Sequence, residues 1–199
     1  MTTITINTAS TTSPQNSFAL QTQGYTQGQT VDDWASRAWL RPGIVGSAVS
    51  TPIYAGLGIA ANVNGLNVNG SNATTIVPAT TTQINGFTVY DQNINAIQTP
   101  GNTAAFVSAG GNVSFYKFGT NATIPLPVAS GAVSAIETGN INMQLYWDTV
   151  ALNITNTSSV NTIALPVTTI QGINSNSKVI QNSSGVLSYI IGTLVALTI

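Results

Sequence analysis

The feature that most constrains the fold is an alternation of apolar and more polar residues between positions 139 and 155. In the first half the apolar residues stand at odd positions: Ile141, Met143, Leu145 and Trp147. In the second half they stand at even positions: Val150, Leu152 and Ile154. A period of two predicts half-buried β-strands. In a single continuous strand, the apolar side chains would change from one face to the other where they change from odd to even positions. We therefore predict a turn or β-bulge near Asp148 and Thr149.

A second alternating run carries prolines. Ile124, Leu126 and Val128 share one face, and Pro125 and Pro127 lie on the other. Proline has no N–H to donate to a neighbouring strand, so this segment is predicted to be an edge strand.

Turn signals separate many short apolar runs. Asn-Gly pairs at 64–65, 69–70 and 85–86 and the Ala-Gly-Gly-Asn stretch at 109–112 predict turns, because Gly and Asn tolerate positive φ. No segment shows a sustained helical stripe. Residues 186–199 are strongly apolar but too short to cross a bilayer as a helix, and they predict a buried C-terminal strand or strand pair. The predicted fold is all-β: a small β-barrel or sandwich of short antiparallel strands with an extended N-terminal arm.

The chain changes character once. Residues 1–30 are polar and rich in Thr, Ser and Gln, and we interpret them as an extended arm. Residues 31–199 are interpreted as a single β domain. The arm is either a frayed terminus or a segment that lies along a neighbouring subunit. It lacks the basic and apolar regions of a signal peptide.

Composition argues against most chemistry. Charged residues make up 5% of the chain, and there is neither Cys nor His. We therefore expect no cofactor, no metal site, no nucleic-acid partner and no membrane partner. A glycosidase would need two carboxylates at a set separation, and the candidate pair in this sequence is Glu137 with Asp148 or Asp91. No cluster of tryptophans surrounds these acids in the sequence, so we expect no catalytic residues and no enzymatic activity.

The strongest side-chain chemistry lies between residues 24 and 60. This stretch holds four of the nine charged residues and two of the three tryptophans. Interfaces are enriched in Trp and Arg. We interpret six residues as a candidate protein interface: Asp32, Asp33, Trp34, Arg37, Trp39 and Arg41. The alternative is a local surface salt bridge, or a core role for the tryptophans.

The order of weak motifs resembles the structural cement, or head decoration, proteins of tailed bacteriophages. The matching stretches are Gln-Gly-Gln at 27–29, the Asp-to-Arg stretch at 33–37, Ile-Tyr-x-Gly-x-Gly-Ile at 53–59, Gly-Phe-Thr-Val-Tyr-Asp-Gln at 86–92, Val-x-Phe-Tyr-Lys-x-Gly at 113–119, the run at 124–128, Gly-x-Ile-x-Met-x-Leu-Tyr-Trp-Asp at 139–148 and the run at 191–197.

This resemblance implies a structural virion protein on the outer surface of the capsid head. Such a protein binds the major capsid protein, bridges its subunits, stabilises the shell and forms a homo-oligomer, a trimer or a dimer. Two alternatives stay open: another virion component such as a tail or fibre protein, or a secreted β-rich adhesin or carbohydrate-binding module.

Overall fold

The computed structural model describes residues 24–31, 39–66, 72–89, 104–139, 141–166, 168–183 and 186–199. It is an all-β fold with one short helix in the described residues. The elements are β1 (Arg41–Val45), β2 (Ile53–Tyr54), β3 (Gly58–Leu66), β4 (Asn72–Pro78), β5 (Gly86–Thr88), β6 (Phe106–Val107), β7 (Asn112–Lys117), β8 (Thr123–Pro127), α1 (Ser130–Glu137), β9 (Tyr146–Asp148), β10 (Asn153–Thr155), β11 (Thr162–Ala164), β12 (Thr169–Ser183) and β13 (Val186–Thr198).

Five strands form a small closed barrel in the order β1-β4-β3-β5-β7. Its pairs are antiparallel except for β1 with β4, which are parallel. Two glycines permit this tight closure. A Cβ on Gly43 would collide with the side chain of Ile76, and a Cβ on Gly86 would overlap the carbonyl oxygen of Tyr116. The barrel therefore depends on close backbone approach at positions where no side chain fits.

Three smaller sheets pack around the barrel, in the orders β12-β13-β8, β10-β9-β11 and β2-β6. Trp147 of β9 joins its sheet to the barrel, because it lies edge-to-face with Phe87 of β5 at 5.4 Å between ring centroids. Gly58 of β3 makes room for it, since a Cβ there would be 2.7 Å from the indole. The buried residues of the barrel and of both three-stranded sheets form one continuous core.

Two predictions about β8 and β9 are confirmed. β8 is an edge strand of its sheet, as its two prolines predicted. The predicted turn after Asp148 connects β9 to β10, which pair as an antiparallel hairpin. The carboxylate of Asp148 accepts hydrogen bonds from the backbone N–H groups of Val150 and Ala151, each at 2.8 Å. Leu152 adopts φ of 54° to complete the turn.

The alternation predicted longer strands around residues 141–155 than the structure contains. Ile141 lies in a turn with 47% of its surface exposed, so the predicted strand does not begin there. Val150 lies in the hairpin turn and is 71% exposed. Most strands are short, as predicted, but β12 and β13 are long, with 15 and 13 residues. The helix α1 was not predicted; it buries Ala132 and Ile136, four residues apart.

The Asn-Gly pairs behave differently from a simple turn signal. Residues 64 and 65 lie inside β3, opposite one residue of β4, because the register shifts there and forms a bulge. Gly86 begins β5, so the pair at 85–86 is not a hairpin turn. The pair at 69–70 lies outside the described residues. At 109–112 the predicted turn is confirmed, with Gly110 at φ of 80°.

Residues 24–31, which we call the strap, lie along this chain's own sheet. Thr26 bridges Lys178 of β12 in parallel orientation. Further along, the N–H of Gly28 donates to the carbonyl of Pro125 at 2.9 Å, and the N–H of Val31 donates to that of Thr123 at 3.1 Å. The strap therefore covers the middle of β12 and the outer edge of β8. The preceding part of the predicted arm, residues 1–23, lies outside the described residues.

Candidate protein interfaces

The structure places two of the six predicted interface residues. Trp39 lies in a turn and is 55% exposed, and Arg41 is exposed at the start of β1. The other four lie outside the described residues: Asp32, Asp33, Trp34 and Arg37. The contacts between these acids and the arginines therefore stay predictions.

Strand β1 displays further apolar surface beside them. Gly43 and Val45 point into the barrel, whereas Pro42 and Ile44 are exposed, as alternation in a strand requires. Ile44 is 43% exposed. We call Trp39, Arg41, Pro42 and Ile44 the β1 surface. It combines an aromatic ring, a guanidinium and aliphatic groups within six residues, which is the composition of a protein-binding patch.

A second apolar surface lies on the hairpin of β12 and β13. β8 pairs with β13 only from Leu194 to Thr198, whereas β12 pairs with it as far as Val186. The far half of the hairpin therefore extends beyond the three-stranded sheet as two strands, which we call the ribbon. Three ribbon residues are largely exposed: Val186 at 61%, Ile190 at 41% and Ile191 at 57%. Val186 and Ile190 lie on one face of the ribbon and Ile191 on the other, because successive side chains of a strand point to opposite faces.

The ribbon borders a groove of about 550 Å³. After Pro127 the chain leaves β13, and Val128 bridges Ile154 of β10 instead. The groove opens where the two sheets separate. Its lining carries no charged side chain: Tyr54, Pro127, Val128, Val150, Ala151, Leu152, Asn153, Val179, Ile180, Gln181, Asn182, Ile190, Gly192 and Thr193.

Gln27 anchors the strap between the barrel and the ribbon. Its side chain is 1% exposed. The amide Nε2 donates to the carbonyl of Ala55 at 3.2 Å, and Oε1 accepts from the backbone N–H of Ile180 at 2.8 Å. Gly28, with φ of 72°, lets the strap pass within contact of Ala55, because a Cβ there would be 2.5 Å from the Cβ of Ala55. Both polar ends of the buried amide are therefore satisfied.

The carboxylates offer no prepared catalytic pair among the described residues. Glu137 is exposed at the end of α1, and Asp148 is engaged by the backbone of its turn. Asp91, the third acid of the carboxylate hypothesis, lies outside the described residues. In the described part of the chain, no three His, Cys, Asp or Glu residues come together as a metal site.

Tyr54 is the one described group with a clearly shifted ionisation. Burial raises the pKa of its phenol to about 12, because the phenolate is poorly solvated there. Tyr54 pairs with Phe106 across the β2–β6 sheet and borders the groove. Its phenol therefore stays protonated at neutral pH, as a packing group beneath the ribbon.

The ribbon surface was not predicted from the sequence. Residues 186–199 were interpreted as buried throughout, and that holds for Leu194 to Leu197 but not for Ile190 and Ile191. One signal was present: the pairing strand β12 carries Asn, Ser, Gln and Lys in its second half. Antiparallel strands that are solvated on one face carry polar residues there.

Comparison with known proteins places this chain in no family: no family model, no curated protein and no solved structure matches it. Among the described residues, no helix is long and apolar enough to cross a membrane.

Proposed function

We propose that this chain is a non-enzymatic structural protein of a tailed-bacteriophage virion. In this proposal it binds the outer surface of the capsid head as a cement, or decoration, protein and bridges neighbouring major capsid protein subunits. It also associates with other copies of itself. The proposal rests on the motif order described above and on the surfaces of the folded chain.

The observation that carries the proposal is the β1 surface. Trp39 exposes more than half of its area and stands two residues before Arg41 and five before Ile44, in a chain of which only 5% of the residues are charged. Binding hot spots are enriched in Trp and Arg. A shell presents many identical sites, so a modest contact of this kind repeated over the surface gives stable attachment.

The low charge supports the same interpretation. An isolated soluble protein usually carries about a quarter of its residues as charged groups. A surface of amides, hydroxyls and scattered aliphatic groups suits packing against a large neighbour, since few charges must be desolvated on contact. The strap and the closed barrel give such a surface a rigid support.

The direct test is binding to mature heads of the virus that encodes the chain, after their surface proteins have been removed. The purified protein is expected to sediment with the heads and to raise the temperature at which they break open. Trp39→Ala and Arg41→Ala are expected to weaken sedimentation at least about tenfold. Val160→Ala is the matched control, because Val160 is 89% exposed in the β10–β11 loop.

Three outcomes would contradict the proposal. Absence of binding to any head preparation would remove the cement function. Binding that Trp39→Ala and Arg41→Ala leave unchanged would remove the β1 surface as the contact. Attachment of the isolated protein to glycans, with no attachment to heads, would favour the adhesin alternative.

A further inference from the structure

The groove gathers hydrogen-bonding side chains that the fold itself does not use. Two amides and two hydroxyls of its lining have no hydrogen-bond partner in the described part of the chain: those of Asn153, Gln181, Tyr54 and Thr193. Each of these groups can both donate and accept. Elsewhere, the amides of Gln27 and Gln144 are bonded to backbone carbonyls. The groove therefore keeps its hydrogen-bonding capacity for another molecule.

Tyr54 distinguishes this groove from ordinary solvated surface. Only 6% of its surface is exposed, yet its hydroxyl has no partner among the described residues. In that part of the chain, the one enclosed side-chain polar atom without a partner is the indole Nε1 of Trp147. The hydroxyl of Tyr54 is therefore not sealed in the core, and Tyr54 borders the groove. Because buried polar groups are normally hydrogen-bonded, a molecule in the groove would supply the missing partner.

The two walls of the groove are suited to hold a small molecule between them. One wall is the end of the β9–β10 turn, with Leu152 and Asn153, and the other is the ribbon, with Gln181 and Ile190. Each wall thus offers an aliphatic side chain and an amide. The turn is held in place by the carboxylate of Asp148. The volume of about 550 Å³ lies within the range of roughly 300–1,000 Å³ that is usual for small-molecule sites.

Charge restricts the class of molecule that fits. The lining carries no charged side chain, so a carboxylate, a phosphate or an ammonium group would be desolvated there without an ionic partner. A suitable ligand is uncharged, has several groups that donate and accept hydrogen bonds, and has C–H surface for the aliphatic walls. A neutral saccharide combines these properties, since its ring carries hydroxyls at the rim and C–H groups on its faces.

We propose that the groove binds a short neutral oligosaccharide, with the hydroxyl of Tyr54 and the amides of Asn153 and Gln181 as its hydrogen-bond partners. An extended peptide fits less well, because it needs a free strand edge. The nearby edge of β13 is bonded to Ala104 at Leu187 and to β8 from Leu194 onward. Separate side-chain groups suit separate hydroxyls instead. The site is distinct from the β1 surface and does not rest on shell binding.

The test is a titration of the isotope-labelled full-length chain, followed by NMR. The probes are neutral trisaccharides of glucose, galactose, mannose and N-acetylglucosamine, with a sialylated trisaccharide for comparison. At least one neutral trisaccharide is expected to shift the signals of Asn153, Gln181 and Ile190 saturably. The signals of Asn161, an exposed residue of the β10–β11 loop, are expected to stay unchanged.

Variants then identify the groups that contact the saccharide. Tyr54→Phe removes only the hydroxyl and is expected to weaken binding about threefold to tenfold, the effect of one lost hydrogen bond. Asn153→Ala and Gln181→Ala are each expected to weaken it by a similar factor. Asn161→Ala is the matched control, because it removes the same amide outside the groove, and it is expected to have no effect. Gln181 is exposed, so its variant tests the site even where Tyr54→Phe impairs folding.

Three results would overturn the inference. No response to any of the neutral trisaccharides would exclude a saccharide site. Binding of the sialylated probe alone would show that charge is recognised. Shifts at Asn153 and Gln181 that depend on protein concentration without saccharide would show that a second copy fills the groove. A chain that binds a saccharide but does not sediment with heads would contradict the cement function alone.

Discussion

The barrel and the ribbon are built from the same kind of strand but treat their edges differently. Each barrel strand has a neighbour on both sides, so the barrel has no free edge. The ribbon has one edge held by the strap at Lys178, and its other edge is bonded at Leu187, whose carbonyl accepts from the N–H of Ala104 at 2.9 Å, while no described strand pairs with it at Ile191. The barrel is closed on itself as a sheet, whereas the ribbon is incomplete as a sheet. We infer that the ribbon is suited to contacts with other molecules.

The side chains follow the same division. Phe87, Ile59 and Ile76 of the barrel are fully buried, whereas Ile190 and Ile191 on the ribbon are largely exposed. Isoleucine thus serves the core in one region and the surface in the other. Because the amino acid is the same, its position relative to neighbouring strands decides whether the side chain is buried or exposed. The predictions below test how sharp this boundary is.

The largest effect is expected within β13 itself, at the last residue that β8 covers. Leu194 is fully buried, so Leu194→Ala is expected to lower the free energy of unfolding by roughly 3–4 kcal/mol. Ile191→Ala, three residues away and 57% exposed, is expected to lower it by less than about 0.5 kcal/mol. Urea unfolding of dilute protein measures both. Equal losses would show that the ribbon is as well covered as the core.

A somewhat smaller effect is expected from filling a close approach in the barrel. Gly86→Ala places a methyl group against the carbonyl of Tyr116, so β5 and β7 must separate, and we expect a loss of about 3 kcal/mol. Gly131→Ala in α1 is the control. No atom lies within 4 Å of the added methyl, and alanine favours a helix, so a gain of up to about 1 kcal/mol is expected. A neutral Gly86→Ala would mean that the barrel is not tightly closed.

Removing the amide of Gln27 should loosen the link between the two regions. Gln27→Ala leaves the N–H of Ile180 and the carbonyl of Ala55 without this partner, and we expect a loss of about 2 kcal/mol. Hydrogen exchange at the Ile180 amide is expected to become faster. Gln181→Ala, at an exposed position beside it, is expected to be neutral. Unchanged exchange at Ile180 would contradict the anchoring role.

The smallest effect is expected at high pH, at the boundary between the regions. The pKa of Tyr54 is raised to about 12, above its ordinary value of 10. The unfolded chain therefore loses this proton first. The protonated phenol of Tyr54 makes its full contribution to the free energy of unfolding below pH 10. This contribution falls as pH rises toward 12, by roughly 1 kcal/mol at pH 11. Tyr54→Phe is expected to remove this part of the alkaline decline, and an identical decline in both proteins would contradict it.

The local strand pattern was predictable because alternation acts within one strand. Leu145, Trp147 and Ile154 are buried as their positions predicted, and the parity switch correctly marked the turn at Asp148. The proline positions correctly marked β8 as an edge strand. These predictions need only the period of a strand and the missing N–H of proline.

The rest depended on which strands meet, and one sequence does not encode that locally. The exposure of Ile191 follows from where β8 stops, about 65 residues earlier in the chain. Gly86 is required by the backbone of Tyr116, not by positive φ, so the Asn-Gly signal there was misleading. Of the predicted interface residues, Trp39 and Arg41 are described and both are exposed, and their part in an interface stays a prediction. The exposed ribbon was not predicted. Both the exposure of Ile191 and the role of Gly86 depend on pairing between strands that are far apart in the sequence.

The orientation of the strap has a mechanical consequence. Because it lies parallel to β12, a pull on the chain before Gly24 acts along the strands and loads the hydrogen bonds at Lys178 and Ile180 in shear, all at once. Beyond Gly28, the bonds to Pro125 and Thr123 continue the load path onto β8. Tension on the arm is thus spread over both edge strands of one sheet, instead of opening bonds one at a time.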